Sequence, residues 1–236
     1  MAPLPHRAIA EAIGTFFLCF VGAAAICTNT LQGDHGAGLV GIALAHGLAL
    51  SIAISALGKV SGGHFNPAVS VTMVVTNQMT AMAGLVYVIS QLVGATLAGF
   101  AVKMAFSEAV YTAAGGGVPV PGAGVSQGVA IFLEVIATFF LLIAVFGTAV
   151  DVKAPSIGGF GIGLTVAFDI LAIGPLTGAS MNPARTFGPG LAAGIWTAHH
   201  VYWIGPIVGG VIAGLVYTQL FISPVPSEKP PGSGID

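Results

Sequence analysis

Two short stretches of this sequence carry the same three residues, Asn66-Pro67-Ala68 and Asn182-Pro183-Ala184. Asn favours a helix N-cap and Pro favours the first helical position, so each triplet marks a helix start. One such pair would be an ordinary turn or helix start; two, each after a Gly-containing lead-in, call for a shared purpose. The lead-ins, Gly62-Gly63-His64 and Gly178-Ala179-Ser180, leave backbone carbonyls free to accept hydrogen bonds. The Asn side chains bring amide donors, and each helix start brings about half a positive charge. Arg185, three residues after Asn182, adds a fixed cation. None of these groups is a nucleophile, and neither they nor the cysteines Cys19 and Cys27 have metal-ligand spacing. Their chemistry is that of a hydration shell: donors and acceptors that grip a small polar molecule beside a positive field that repels cations.

Such groups must be held by something, and the composition says what. Of 236 residues, 56% are apolar and only 6% charged, against roughly 25% charged in soluble domains. A surface so poor in charge belongs in lipid. The net charge of −2 is close to neutral and argues against nucleic-acid binding. Apolar runs long enough to span a bilayer, which takes about 20 residues, lie at about 9–30, 36–57, 81–106, 127–150, 156–175 and 199–222. The two Asn-Pro-Ala segments lie between the second and third runs and between the fifth and sixth. Their helices, at about ten residues, are too short to cross.

The chain also repeats. Glu11-Ala-Ile-Gly-Thr-Phe-Phe-Leu18 returns as Glu134-Val-Ile-Ala-Thr-Phe-Phe-Leu141, and Ser61-Gly-Gly-His-Phe-Asn-Pro-Ala68 as Thr177-Gly-Ala-Ser-Met-Asn-Pro-Ala184. Each half has three spans, an odd number, so the second half enters from the opposite side. This is an inverted repeat, and it predicts that the short helices dip in from opposite faces and meet in the middle. The expected fold is an all-α integral membrane protein with six transmembrane helices and two half-spanning helices. A single transmembrane domain, 1–222, comprises repeat one (about 9–106), an outer loop (107–126) and repeat two (about 127–222). The polar, Pro-rich tail 223–236 is expected to be disordered. Arg7, Lys59, Lys153 and Lys229 fall on one side and Lys103 on the other, which predicts cytoplasmic termini. We place this multi-pass protein in a plasma or inner membrane.

Paired Asn-Pro-Ala boxes, inverted repeats and this span pattern resemble the major intrinsic protein family, the aquaporins and glycerol facilitators, over about 9–222. The resemblance implies a passive water channel that excludes protons and ions, with no cofactor or metal and no enzymatic activity. It implies a homotetramer in lipid with one pore per subunit. Asn66, Pro67, Ala68, Asn182, Pro183 and Ala184 take the places of the boxes; the carbonyls of Gly62, Gly63, His64, Gly178 and Ser180 line the pore. Arg185, Ala179, His46 and Ile170 match the four positions of a selectivity filter, the last two by counting from the motifs. His at the second-helix position, Ile at the fifth-helix position and a small Ala are similar to tonoplast-type and ammonia-permeable members. They predict a filter wide enough for ammonia or hydrogen peroxide as well as water. Glycerol facilitators, the second reading, resemble this chain less: Thr186 stands where they carry Asp, and His46 where they bring an aromatic.

Glu11 and Glu134 open equivalent helices, and a buried carboxylate must be hydrogen-bonded. They resemble the glutamates that hold the dipping loops, and Gln91 resembles a similar brace. Asp169 is read as an anchor for the outer loop or second box, and His64 as packing behind the first box. Cys19 and Cys27 read as small packing residues. Gly205, Gly209, Gly210 and Gly214 predict a close helix crossing, within or between subunits. A secondary transporter would also use inverted repeats and broken helices, but it usually needs coupling carboxylates beside them, and Asp169 is the one candidate. An intramembrane enzyme built on His46 and Asp169 lacks a nucleophile.

Overall fold

A computed structural model of the chain describes residues 2–155 and 157–222. The predicted tail 223–236, with Lys229, lies outside these residues. Nine α-helices follow in order among the described residues: α1 (Leu4–Gln32), α2 (Gly38–Ser61), α3 (Pro67–Val75), α4 (Ala81–Ala105), α5 (Glu108–Ala113), α6 (Gln127–Val145), α7 (Phe160–Thr177), α8 (Pro183–Ala193) and α9 (Val201–Leu220). Helix α6 runs on through a π turn, Phe146–Val150. Helices α1, α2, α4, α6, α7 and α9 are long and apolar enough to cross a membrane. Outward-facing Ile13, Leu48, Ile52, Ile89, Phe132 and Ile212 give the bundle an apolar exterior, as a surface solvated by lipid requires.

Helices α3 and α8 are the half-length helices, at 9 and 11 residues. Each packs on the last long helix of the opposite half: α3 against α9, with a smaller contact to α4, and α8 chiefly against α4. This exchange locks the halves together. The long helices pair as α1 with α4 and α2, α6 with α9, and α2 with α7. Small residues set these crossings. A Cβ on Gly94 would collide with the Ala12 carbonyl, and one on Gly209 with the Val135 carbonyl. Gly94 and Gly209 fill the same place in the two repeats. The glycines of α9 therefore all face partners inside the subunit: Gly205 meets Glu134, and Gly210 and Gly214 meet Thr72.

The N-cap expectations hold at both boxes. Asn66 and Asn182 are extended residues whose side-chain oxygens accept from the first turn of α3 and α8. Thr80, Ser107 and Ser126 cap α4, α5 and α6 in the same manner. Gly62 and Gly178 end α2 and α7 in the left-handed conformation that glycine adopts without cost. Both cysteines are buried and unbonded.

Candidate functional site

Each dipping loop hangs from one carboxylate. Glu11 Oε1 accepts from Ser61 Oγ at 2.6 Å and from His64 N at 3.1 Å; its Oε2 accepts from Phe65 N at 2.7 Å and Gln91 Nε2 at 2.8 Å. Glu134 repeats the pattern: Oε1 accepts from Thr177 Oγ1 at 2.7 Å and Ser180 N at 2.9 Å, and Oε2 from Met181 N at 2.7 Å. Non-helical backbone at membrane depth has donors that lipid cannot satisfy, and these carboxylates satisfy them. Gln91 braces the first loop alone, also reaching Ser70 Oγ at 2.9 Å.

A further tie closes each loop. Tyr87 Oη donates to the Ser61 carbonyl, and Tyr202 Oη to the Thr177 carbonyl at 2.7 Å. Motif spacing does not single out these tyrosines, or Ser61 and Thr177, as anchors. The repeat carries the signal, since a hydroxyl residue opens both boxes and a tyrosine lies in both third spans. So held, Phe65 and Met181 adopt positive φ, +50° and +53°, a conformation that costs a non-glycine residue about 1–3 kcal/mol. It turns the carbonyl of each toward the opposite loop.

There the two boxes meet. Asn66 Nδ2 donates to the Met181 carbonyl at 2.8 Å, and Asn182 Nδ2 to the Phe65 carbonyl at 2.9 Å. Asn66 Oδ1 accepts from Ala68 N at 2.8 Å; Asn182 Oδ1 accepts from Ala184 N at 2.9 Å and Arg185 N at 3.3 Å. A side-chain amide has two hydrogens. One crosses to the other loop, which leaves one on each Asn for a third party. Both asparagines line a central cavity whose walls include Leu50, Val69, Ile162 and Val166.

Arg185 and His64 stand at its two ends. Arg185 lines the central cavity and also an outer one, which it shares with Ile170, Gly178 and Pro119 of the outer loop. His64 lines the central cavity and also an inner one, with Arg7, Ser61 and Gly62. Its Nδ1 lies 3.0 Å from Ser70 Oγ. His64 therefore lines both cavities; the expectation that it packs behind the box needs that correction.

Arg185 and His46 come together, with Nη2 at 3.0 Å from Nε2. His46 Nδ1 lies 2.8 Å from the Ile42 carbonyl. A carbonyl only accepts and a guanidinium only donates. These partners assign His46 the neutral tautomer, with hydrogen on Nδ1 and the Nε2 lone pair turned to Arg185. Gly22 makes room for the ring, since a Cβ there would collide with it. Arg185 is 6% exposed, and its Nε and Nη1 have no partner among the described residues. Buried guanidinium donors are costly to leave unpaired, and Arg185 lines both the central and the outer cavity. Ile170 is buried at the outer cavity, and Ala179, at φ +43°, is fully buried beside Gly178. Asp169 departs from expectation. It is 3% exposed, its Oδ2 is buried without a partner, and among the described residues its side chain makes no hydrogen bond to the outer loop or the second box.

The family description Major intrinsic protein matches residues 2–217. Aquaporin TIP4-4 of Zea mays is 44% identical over 237 residues, covering 97% of this chain and 91% of that protein. Aquaporin TIP2-1 of Arabidopsis thaliana is 42% identical over 225 residues, covering 91% and 86%. Among solved structures, the aquaglyceroporin from Plasmodium falciparum superposes with a TM-score of 0.81 at 24% identity, over 92% of this chain and 97% of that one; that likeness bears on the fold alone.

Proposed function

This chain belongs to the major intrinsic protein family, and from that premise we propose that it is an aquaporin whose two asparagines and Arg185 form the water-selecting part of a passive pore. The observation that carries the reading is the crossing of Asn66 and Asn182, each spending one amide hydrogen on the opposite loop and keeping one for the central cavity. A water between them turns its oxygen to both donors. Its own hydrogens then point away along the passage, and it cannot accept a proton from a neighbour. The positive ends of α3 and α8 meet at the same place and oppose cations. Lining donors combined with half-helix dipoles are the general basis of aquaporin-type selectivity, here carried by named residues. Glu11 and Glu134 serve by holding the loops; they face backbone donors and carry no proton along the pore. The reading assigns the chain to transport and not to enzymatic catalysis.

Arg185 and His46 form the outer filter with Ile170 and Ala179. The neutral His46 ring accepts one guanidinium hydrogen, and Nε and Nη1 remain to guide a solute. Ile170 and Ala179 add no polar side-chain atom, so the filter admits a neutral solute somewhat larger or less hydrated than water, namely ammonia or hydrogen peroxide. Glycerol ranks lower, because Thr186 is spent on Ser180, with the two hydroxyl oxygens 2.6 Å apart. Swelling and uptake assays on proteoliposomes, run in parallel with water, ammonia, peroxide and glycerol, test this. Ile170→His should remove ammonia uptake and leave water flow; unchanged ammonia uptake would sink the filter assignment.

The protein is a multi-pass membrane protein. The TIP-type names of its plant relatives lend no support to the plasma or inner membrane expected from the sequence, and favour a tonoplast-like setting. A homotetramer with one pore per subunit is the assembly this reading carries, open to test by the mass of the detergent-solubilised protein.

A further inference from the structure

We propose that Arg7 is a second cation-excluding residue, placed at the inner mouth of the pore. Arg7 lies in the first turns of α1 and lines the inner cavity together with Ser61, Gly62 and His64. His64 also lines the central cavity, so Arg7 stands at the opening that a solute meets on its way to or from the asparagines.

Its charge is held in place. Arg7 Nε donates to Tyr87 Oη at 2.7 Å, and its guanidinium carbon sits 5.0 Å from the centre of the Tyr87 ring. Tyr87 in turn donates to the Ser61 carbonyl, and Ser61 Oγ donates to Glu11. The cation is thus tied to the anchor of the first dipping loop and does not swing free as a surface side chain would. Arg7 makes no ion pair with the carboxylate one turn along α1, whose two oxygens accept from Ser61, His64, Phe65 and Gln91.

The inverted repeat shows that Arg7 is an addition and not a leftover of duplication. Aligning Glu11 with Glu134 sets Arg7 against Ala130, which is buried against the Tyr202 that matches Tyr87. Aligning Asn66 with Asn182 sets Val69 against Arg185. Each half therefore supplies one cavity-lining arginine that the other lacks, and the two lie on opposite sides of the asparagines. Arg185 guards the outer approach and Arg7 the inner one. The inference rests on the conduit reading above.

The test reads the potential at the inner mouth directly. A cysteine at Met79, half-buried in the same cavity, is exposed from the inner side to a cationic and a neutral methanethiosulfonate reagent of similar size. Modification is followed through the block of water flow in proteoliposomes. The cationic-to-neutral rate ratio should rise about threefold to tenfold on Arg7→Gln, as expected for removing one charge from the same wet cavity, and should stay low on Arg7→Lys. Water flow before modification should be the same in all three. A ratio that Arg7→Gln leaves unchanged, or that Arg7→Lys raises as much as Gln, overturns the proposal; so does loss of water flow in Arg7→Gln, which would make the residue a structural brace. If the conduit reading itself is wrong, the neutral reagent fails to block flow even with Arg7 intact.

Discussion

Glu134→Gln is an almost isosteric change with a large expected cost. The carboxylate accepts three hydrogen bonds, at 2.7, 2.9 and 2.7 Å, from Thr177 Oγ1, Ser180 N and Met181 N. Glutamine keeps one oxygen, enough for the Thr177 and Ser180 pair. Its NH2 then faces the Met181 N–H, donor against donor. One charge-assisted bond worth about 1.5–3 kcal/mol is lost, and a buried donor is left unsatisfied at about 1–3 kcal/mol. Because neighbouring terms do not add fully, we take about 2–4 kcal/mol, a roughly 30- to 700-fold shift toward a released loop. Met181 holds its positive φ only while anchored, and its carbonyl receives Asn66, so the release reaches the centre of the pore. Thermal unfolding in detergent should fall well below wild type, and single-channel water permeability should drop. Glu134→Ala, losing all three bonds, should be worse. A Glu134→Gln protein with wild-type melting and wild-type flow would refute the anchoring argument.

Asn182→Ala removes the cap on Ala184 and Arg185 and the bond to Phe65; it should cost about 1–2 kcal/mol and raise proton leak, measured with an entrapped pH dye. His46→Ala takes the acceptor from Arg185 Nη2 and opens the filter, so glycerol uptake should rise while water flow persists. Gly209→Leu drives a side chain into the Val135 backbone and should abolish folded protein, whereas Gly128→Leu, in open space, should be tolerated. His199 accepts from Trp203 Nε1 at 3.1 Å and packs edge-on to Trp196 at 4.8 Å. Burial, with His200 beside it, holds its pKa below the ordinary 6.5. The unfolded chain then binds the extra proton, so this contribution to stability is present above about pH 6.5 and is lost as pH falls toward the lower folded value; His199→Phe should flatten the acid limb of a melting-temperature profile.

Much of the architecture was legible because it is written in local signals. Long apolar runs, Asn-Pro starts and a duplicated Glu-marked helix each leave a mark within a few residues, and the inverted topology follows from counting spans. The two carboxylate anchors were legible because the repeat set them side by side. The tyrosine ties were not: Tyr87 and Tyr202 reach back 26 and 25 residues to a carbonyl, and a bond to backbone leaves no complementary residue type to notice. The contact of His46 with Arg185 joins residues 139 apart; counting gave their neighbourhood, and only the fold gave the bond and the tautomer. Whether the α9 glycines pack inward or between subunits depends on which face meets α6 and α3, and helical spacing alone fits both. Asp169 misled for a related reason: its neighbour Ile170 lines the outer cavity, but α7 turns Asp169 to a buried site where, among the described residues, Oδ2 meets no donor.

The central claim is a continuous aqueous passage through the asparagine crossing. Stopped-flow shrinkage of proteoliposomes at several temperatures tests it most directly. The account predicts rapid water flow with an activation energy far below that of the bare bilayer, and no accompanying proton flux. Flow no faster than in empty vesicles, or a steep temperature dependence with saturation, would contradict it.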